Sequence, residues 1–108
     1  MAQEITPKDL AEALHQGKSV RLIDVRQAWE NQRVHLPGST LIPLNELPAR
    51  ASEIPSDPDA LLVVYCHHGI RSQSAADYLA SLGHANVLSL AGGIDAWSCG
   101  GDPPPPRY

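Results

Sequence analysis

Apolar positions in this chain fall into two alternating rhythms. Leu61-Leu62-Val63-Val64-Tyr65 is an unbroken apolar run and predicts a strand buried on both faces. Val20-Arg21-Leu22-Ile23-Asp24-Val25, rich in β-branched residues, predicts a second strand; Thr40-Leu41-Ile42 predicts an abbreviated third, and Val87-Leu88-Ser89-Leu90 another. Between these runs the spacing turns helical. Thr6 is placed as an N-cap with Pro7 at the first helical position and Asp9 in the first turn; Leu10 and Leu14 share a face, and Gly17 stops the helix. Gln27–Arg33 predicts two turns of helix, and His35-Leu36-Pro37-Gly38 is turn chemistry. Asn45 is a suitable N-cap for a helix running to Ile54, with Pro48 in its first turn, and the Pro55–Asp59 stretch breaks it. From Arg71 the best helical period of the chain begins: Ala75, Ala76, Leu79 and Leu82 form the stripe and Gly83 the stop. Gly92-Gly93 turns the last strand into a brief helix holding Trp97, and the tail after Asp102 is expected to be extended.

Apolar runs alternating with helical segments describe an α/β domain with a largely parallel sheet, and ligands of such sheets gather at the carboxyl ends of the strands. Three features fall on that edge: Asp24 and Arg26 after one strand, Cys66 after another, and Gly92-Gly93 after a third. Cys66 is the centre of interest. His67–Ile70 leaves room only for a tight turn, with Gly69 free to take a positive φ, before a helix starts. The amides of that turn and the helix N-terminus then face the sulfur, an anion-holding arrangement built around a thiol.

Composition narrows the possibilities. A chain of 108 residues makes one domain, expected over 1–101, followed by a Pro-rich tail over 102–108. The formal charge, 8 − 12 = −4, and the lack of a Lys/Arg cluster argue against a nucleic-acid partner. No apolar stretch suits a membrane span or a signal peptide. Two cysteines are too few for a disulfide framework, so a reducing cytoplasm is the expected location.

Five stretches, taken in order, resemble the single-domain rhodanese (thiosulfate sulfurtransferase) family. They are Leu22-Ile23-Asp24-Val25-Arg26, Trp29-Glu30, His35-Leu36-Pro37-Gly38-Ser39, Cys66-His67-His68-Gly69-Ile70-Arg71-Ser72 and Leu90-Ala91-Gly92-Gly93-Ile94-Asp95-Ala96-Trp97. Many family members have Gly before the His of the turn; here it is Val34. The resemblance implies a three-layer sandwich with a central, mostly parallel five-stranded sheet flanked by helices. It implies a sulfurtransferase in which Cys66 takes sulfane sulfur from a donor such as thiosulfate. As a persulfide, Cys66 then hands the outer sulfur to a thiol, to cyanide or to a sulfur-relay protein. His67, His68, Gly69, Ile70, Arg71 and Ser72 would form the loop around the persulfide, with Asp24 and Arg26 in support. No cofactor, metal, nucleic acid or membrane is implied.

The chemistry asks for a thiolate. An isolated cysteine of pKa about 8.5 is only about 3% ionised at neutral pH, and a helix N-terminus typically contributes roughly one pKa unit or less. Converging amide hydrogen bonds must add to it. The loop also carries its own discrimination: four residues separate Cys66 from Arg71, one fewer than in cysteine phosphatases, which suits a single sulfur atom better than a phosphoryl group. Arg71 has two readings, a contact for an anionic donor or an anchor for the helix start. Asp24 and Arg26 read as hydrogen-bonding structure near the site, His35 as a turn residue satisfying backbone groups, and Trp29 and Trp97 as core or rim. Adjacent His67 and His68 make poor joint metal ligands and better walls for the pocket mouth. A resolving role for Cys99 has nothing in the sequence to bring it near Cys66. The rivals to turnover are a persulfide relay module docking on a partner and a redox sensor.

Overall fold

The computed structural model describes residues 3–54, 59–67, 70–84 and 86–94. Five strands form one sheet in the order β1-β5-β4-β2-β3, every pair parallel. Their ranges are β1 Gln3–Ile5, β2 Val20–Asp24, β3 Thr40–Leu41, β4 Leu61–Tyr65 and β5 Val87–Leu90. The helices are α1 Pro7–His15, α2 Ala28–Arg33, α3 Leu47–Arg50 and α4 Ile70–Ser81. This is the α/β architecture expected of the apolar runs, with helices on both faces of the sheet. The expected boundary at 101/102, the Trp97 helix, Cys99 and the tail lie outside the described residues.

The period of two along β4 divides the core. Leu62, Val64 and Cys66 face one layer with Ala75, Ala76 and Leu79 of α4 and Leu47 of α3. Val63 and Tyr65 face the other, with Leu10 and Ala11 of α1, Leu36 and Ile94. Neighbours in register share a face, so Ser89 of β5, opposite Val64, lies on the α4 side. Asp24 of β2, opposite Tyr65, lies on the α1 side.

Helix α1 starts as its cap dictates: the Thr6 hydroxyl accepts from Asp9 N at 3.1 Å. Its buried stripe is Leu10, Ala11 and Ala13, while Leu14 is 42% exposed, so the Leu10/Leu14 face does not bury as a unit. Leu82 likewise leaves the α4 stripe, because the helix ends at Ser81 and Leu82 belongs to the turn before Gly83 (φ 103°). The single helix expected over 45–54 is instead three short pieces, a 3-10 turn Leu44–Glu46, α3 and a 3-10 turn Ala51–Glu53, entered from Pro43 rather than Asn45. Pro48 has no N–H to give the Leu44 carbonyl, so Leu47 N closes the tighter bond to Leu44 O. Strand β1 is absent from the sequence expectation. Only Ile5 of its three residues is buried, which leaves no pattern to read.

Candidate active site

Cys66 stands immediately past the carboxyl end of β4 and is buried. The period of two aims its side chain at the start of α4. There the Ser72 N–H, in the helix's first turn, donates to Sγ at 3.4 Å. The Ser72 hydroxyl lies 3.6 Å from the same sulfur and 2.7 Å from the hydroxyl of Ser89. Both serines are fully buried. A backbone donor from a helix N-terminus and a hydroxyl therefore converge on one sulfur atom.

The other side of the loop is gripped by the turn after β5. Ile94 N donates to Cys66 O at 2.8 Å, and Gly93 (φ 65°) lies so close beneath that a Cβ on it would overlap the carbonyl oxygens of Cys66 and His67. Here glycine is required twice, by the left-handed backbone and by the close approach. Of the expected loop residues, His67 is half-buried beside the site, and the Ile70 side chain is exposed, so Ile70 contributes no side-chain wall. His68 and Gly69 lie outside the described residues.

Arg71 reaches across to α2. Its guanidinium makes a two-pronged pair with Glu30 of α2, Nη1 to Oε1 at 2.7 Å and Nη2 to Oε2 at 2.8 Å. Glu30 Oε1 also accepts Gln27 N at 3.0 Å, at the start of α2. The Arg71 guanidinium holds the Glu30 carboxyl below the usual carboxylate range, against the opposing pull of burial. The pair ties the first turn of α4 to that of α2. Glu30 escaped the residue-by-residue reading; its place three residues after Gln27, at a helix start, was the available sign.

Asp24 and Arg26 form a second, fully buried pair on the opposite face of the sheet from the sulfur. Asp24 Oδ1 accepts Arg26 N and Nε, both at 2.9 Å; Oδ2 accepts Arg26 Nη2 at 2.8 Å and Asn31 Nδ2 at 2.9 Å. Arg26 Nη2 also donates to Val34 O at 2.6 Å, and the guanidinium carbon lies 5.4 Å from the centre of the Tyr65 ring. Burial pulls the Arg26 pKa down, and the bond and charge of Asp24 outweigh it, leaving the group more firmly protonated than usual. The pair organises α2 and the turn after it. Val34 is extended (φ −162°, ψ 142°), a conformation open to any residue, so the Gly expected there by resemblance is not needed. In the same turn Tyr65 Oη accepts Leu36 N at 3.1 Å and meets Ser39 Oγ at 2.9 Å. His35 sits exposed with Nδ1 3.0 Å from Asn31 O, a backbone-satisfying position.

A family model of the rhodanese-like domain matches residues 6–99. The chain belongs to the rhodanese-like domain family. Among its relatives, a sulfurtransferase of Allochromatium vinosum is 39% identical over 103 residues, 95% of this chain and 94% of that protein. The thiosulfate sulfurtransferase GlpE of Pseudomonas savastanoi is 38% identical over 91 residues, 84% of this chain and 83% of that one. Human single-domain sulfurtransferase TSTD1 superposes with a TM-score of 0.77 at 28% identity, covering 90% of this chain and 96% of that structure. The rhodanese match spans every element that builds the site, from Thr6 at the start of α1 to Ile94 against Cys66 O. No helix among the described residues of this rhodanese domain is long and apolar enough to cross a membrane.

Proposed function

We propose that the chain is a sulfurtransferase that carries sulfane sulfur on Cys66. The observation that supports this most directly is the convergence of the Ser72 amide and hydroxyl on a buried Sγ at the carboxyl edge of the sheet. A core thiol kept only for packing has no use for an amide donor and a hydroxyl partner. The thiolate attacks the outer sulfur of thiosulfate; a new S–S bond forms as the sulfur–sulfur bond to sulfite breaks, and sulfite leaves with the electron pair. No external oxidant is needed. The Ser72 amide that donates to Sγ then holds the persulfide anion, and a thiol or cyanide attacks its outer sulfur and returns Cys66 to thiolate. The small-molecule or protein acceptor approaches past the exposed Ile70, and a reducing cytoplasm keeps Cys66 available.

Intact mass of the protein after thiosulfate, and again after cyanide, tests the reading. Sulfur loading should add about 32 Da, cyanide should remove it, and Cys66→Ser should show neither change. Absence of the adduct on folded, reduced wild-type protein, or its persistence in Cys66→Ser, would overturn the assignment.

A further inference from the structure

Ser89 breaks the pattern of its strand. Val87 and Ser89 point to the same layer, where Val87 packs among apolar side chains, so the pleat calls for an apolar residue at 89. Instead a hydroxyl is completely buried there, an arrangement that is destabilising unless the group is hydrogen-bonded. Its partner is the hydroxyl of Ser72, at 2.7 Å, which in turn lies 3.6 Å from Cys66 Sγ. The three atoms form a line, Sγ to Ser72 Oγ to Ser89 Oγ.

We propose that Ser89 is a positioning residue of the site: it holds the Ser72 hydroxyl on the Cys66 sulfur and fixes the direction in which that hydroxyl donates. The inference rests on the sulfur-carrier reading of Cys66. Each hydroxyl has one proton. With Cys66 as a thiol, S–H donates to Ser72 Oγ, and Ser72 turns its own proton to Ser89. When the thiol loses its proton to solvent, S⁻ accepts only. The line then reverses: Ser89 O–H donates to Ser72 Oγ, and Ser72 O–H donates to sulfur. No proton moves between oxygens; two hydroxyls rotate. Because Ser89 donates to Ser72, it polarises the bond that Ser72 makes to the anion.

Among the described residues, the charged and titratable groups around the sulfur are His67 in the loop, Arg71 of α4 with Glu30 of α2 upon it, and the Asp24–Arg26 pair beyond β2; β5 brings none. All of them stay in place when Ser89 or Ser72 is altered, so a difference between variants isolates the hydroxyl line.

The test follows the ultraviolet absorbance of the Cys66 thiolate through a pH titration, with the Cys66→Ser protein subtracted. Ser72→Ala should raise the midpoint by about one pH unit, the effect of one hydrogen bond to a charged group, and Ser89→Ala by about half a unit. The double variant should titrate with Ser72→Ala alone, because Ser89 acts through Ser72. Sulfur loading by Ser89→Ala should be about threefold slower at neutral pH and should match wild type once both are fully ionised. Ser89→Thr and Ser89→Val, of equal shape, repeat the comparison if Ser89→Ala does not fold, and Thr should have the lower midpoint. Coincident midpoints for wild type and Ser89→Ala, for Thr and Val, or a full Ser89 shift persisting without Ser72, would overturn the proposal. A Ser89-dependent titration in a protein that takes up no sulfur would support the hydroxyl line while removing the carrier reading.

Discussion

Asp24 shows how a residue beside a site differs from a residue of it. Its carboxylate accepts from Arg26 and Asn31 with no exposure to water, so Asp24→Asn leaves a buried guanidinium facing an amide. Breaking a buried pair in this way costs roughly 3–5 kcal/mol, a large part of the roughly 5–15 kcal/mol that holds such a domain together. Denaturant unfolding of Asp24→Asn should show that loss, while sulfur loading per folded molecule stays at the wild-type level. A collapse of loading in the folded fraction would give Asp24 a chemical role that its position, on the far face from Sγ, does not support. The residue scale is also where sequence reading reached its limit. Cys66 is legible because a cysteine between an apolar run and a helix start has few bland explanations. Glu30 and Ser89 are not, because their meaning depends on partners 41 and 17 positions away that only the fold brings near.

At the scale of elements, the loop after β4 is shaped from both sides, by the first turn of α4 and by the turn after β5. Gly93→Ala should therefore act on chemistry as well as on stability. The new methyl meets the carbonyls of Cys66 and His67 and must push the loop away from the Ser72 amide. Displacement of a reacting group by about 1 Å can cost on the order of a hundredfold in rate. Single-turnover sulfur loading per folded molecule should fall steeply and the unfolding midpoint should fall with it; unchanged loading would mean that the loop does not depend on the turn beneath it. Strands β2, β4 and β5 and helix α4 were readable because their apolar periods are long enough to separate helix from strand. The 44–53 segment was not, because a cap and a helical composition do not reveal that one missing N–H at Pro48 tightens the chain into 3-10 turns. Strand β1 owes its existence to β5, to which it adds as an edge.

For the molecule as a whole, the α1-side core is sensitive to alkali through Tyr65. Burial, with the charge of Asp24 adding to it, pushes the phenol up from 10.0 to about 12. The folded state thus keeps its proton where the unfolded chain has lost it. The associated stability is complete below pH 10 and drains away as the pH rises toward 12, on the order of 2–3 kcal/mol in all. Unfolding free energies measured across that window should decline, and Tyr65→Phe should flatten the decline. The variant should also be weaker at neutral pH by about 1–3 kcal/mol, since Leu36 N loses its acceptor. An equally steep decline in Tyr65→Phe would assign the alkaline transition to another group.

The strand order carries one more consequence, for biosynthesis. Among the described residues, β1 pairs only with β5, Gln3 beside Leu88 and Ile5 beside Leu90, and the loop's grip comes from Gly93 and Ile94. A ribosome releasing this chain from its N-terminus has already exposed Cys66 while Ser89 and the Gly92-Gly93 turn are still in the exit tunnel. The nascent polypeptide at that moment has its thiol but neither the hydroxyl line nor the clamp, and β1 has no neighbour to join. The proposed sulfur chemistry therefore waits until β5 and the turn after it have left the ribosome, when one strand closes the sheet against β1 and finishes the pocket.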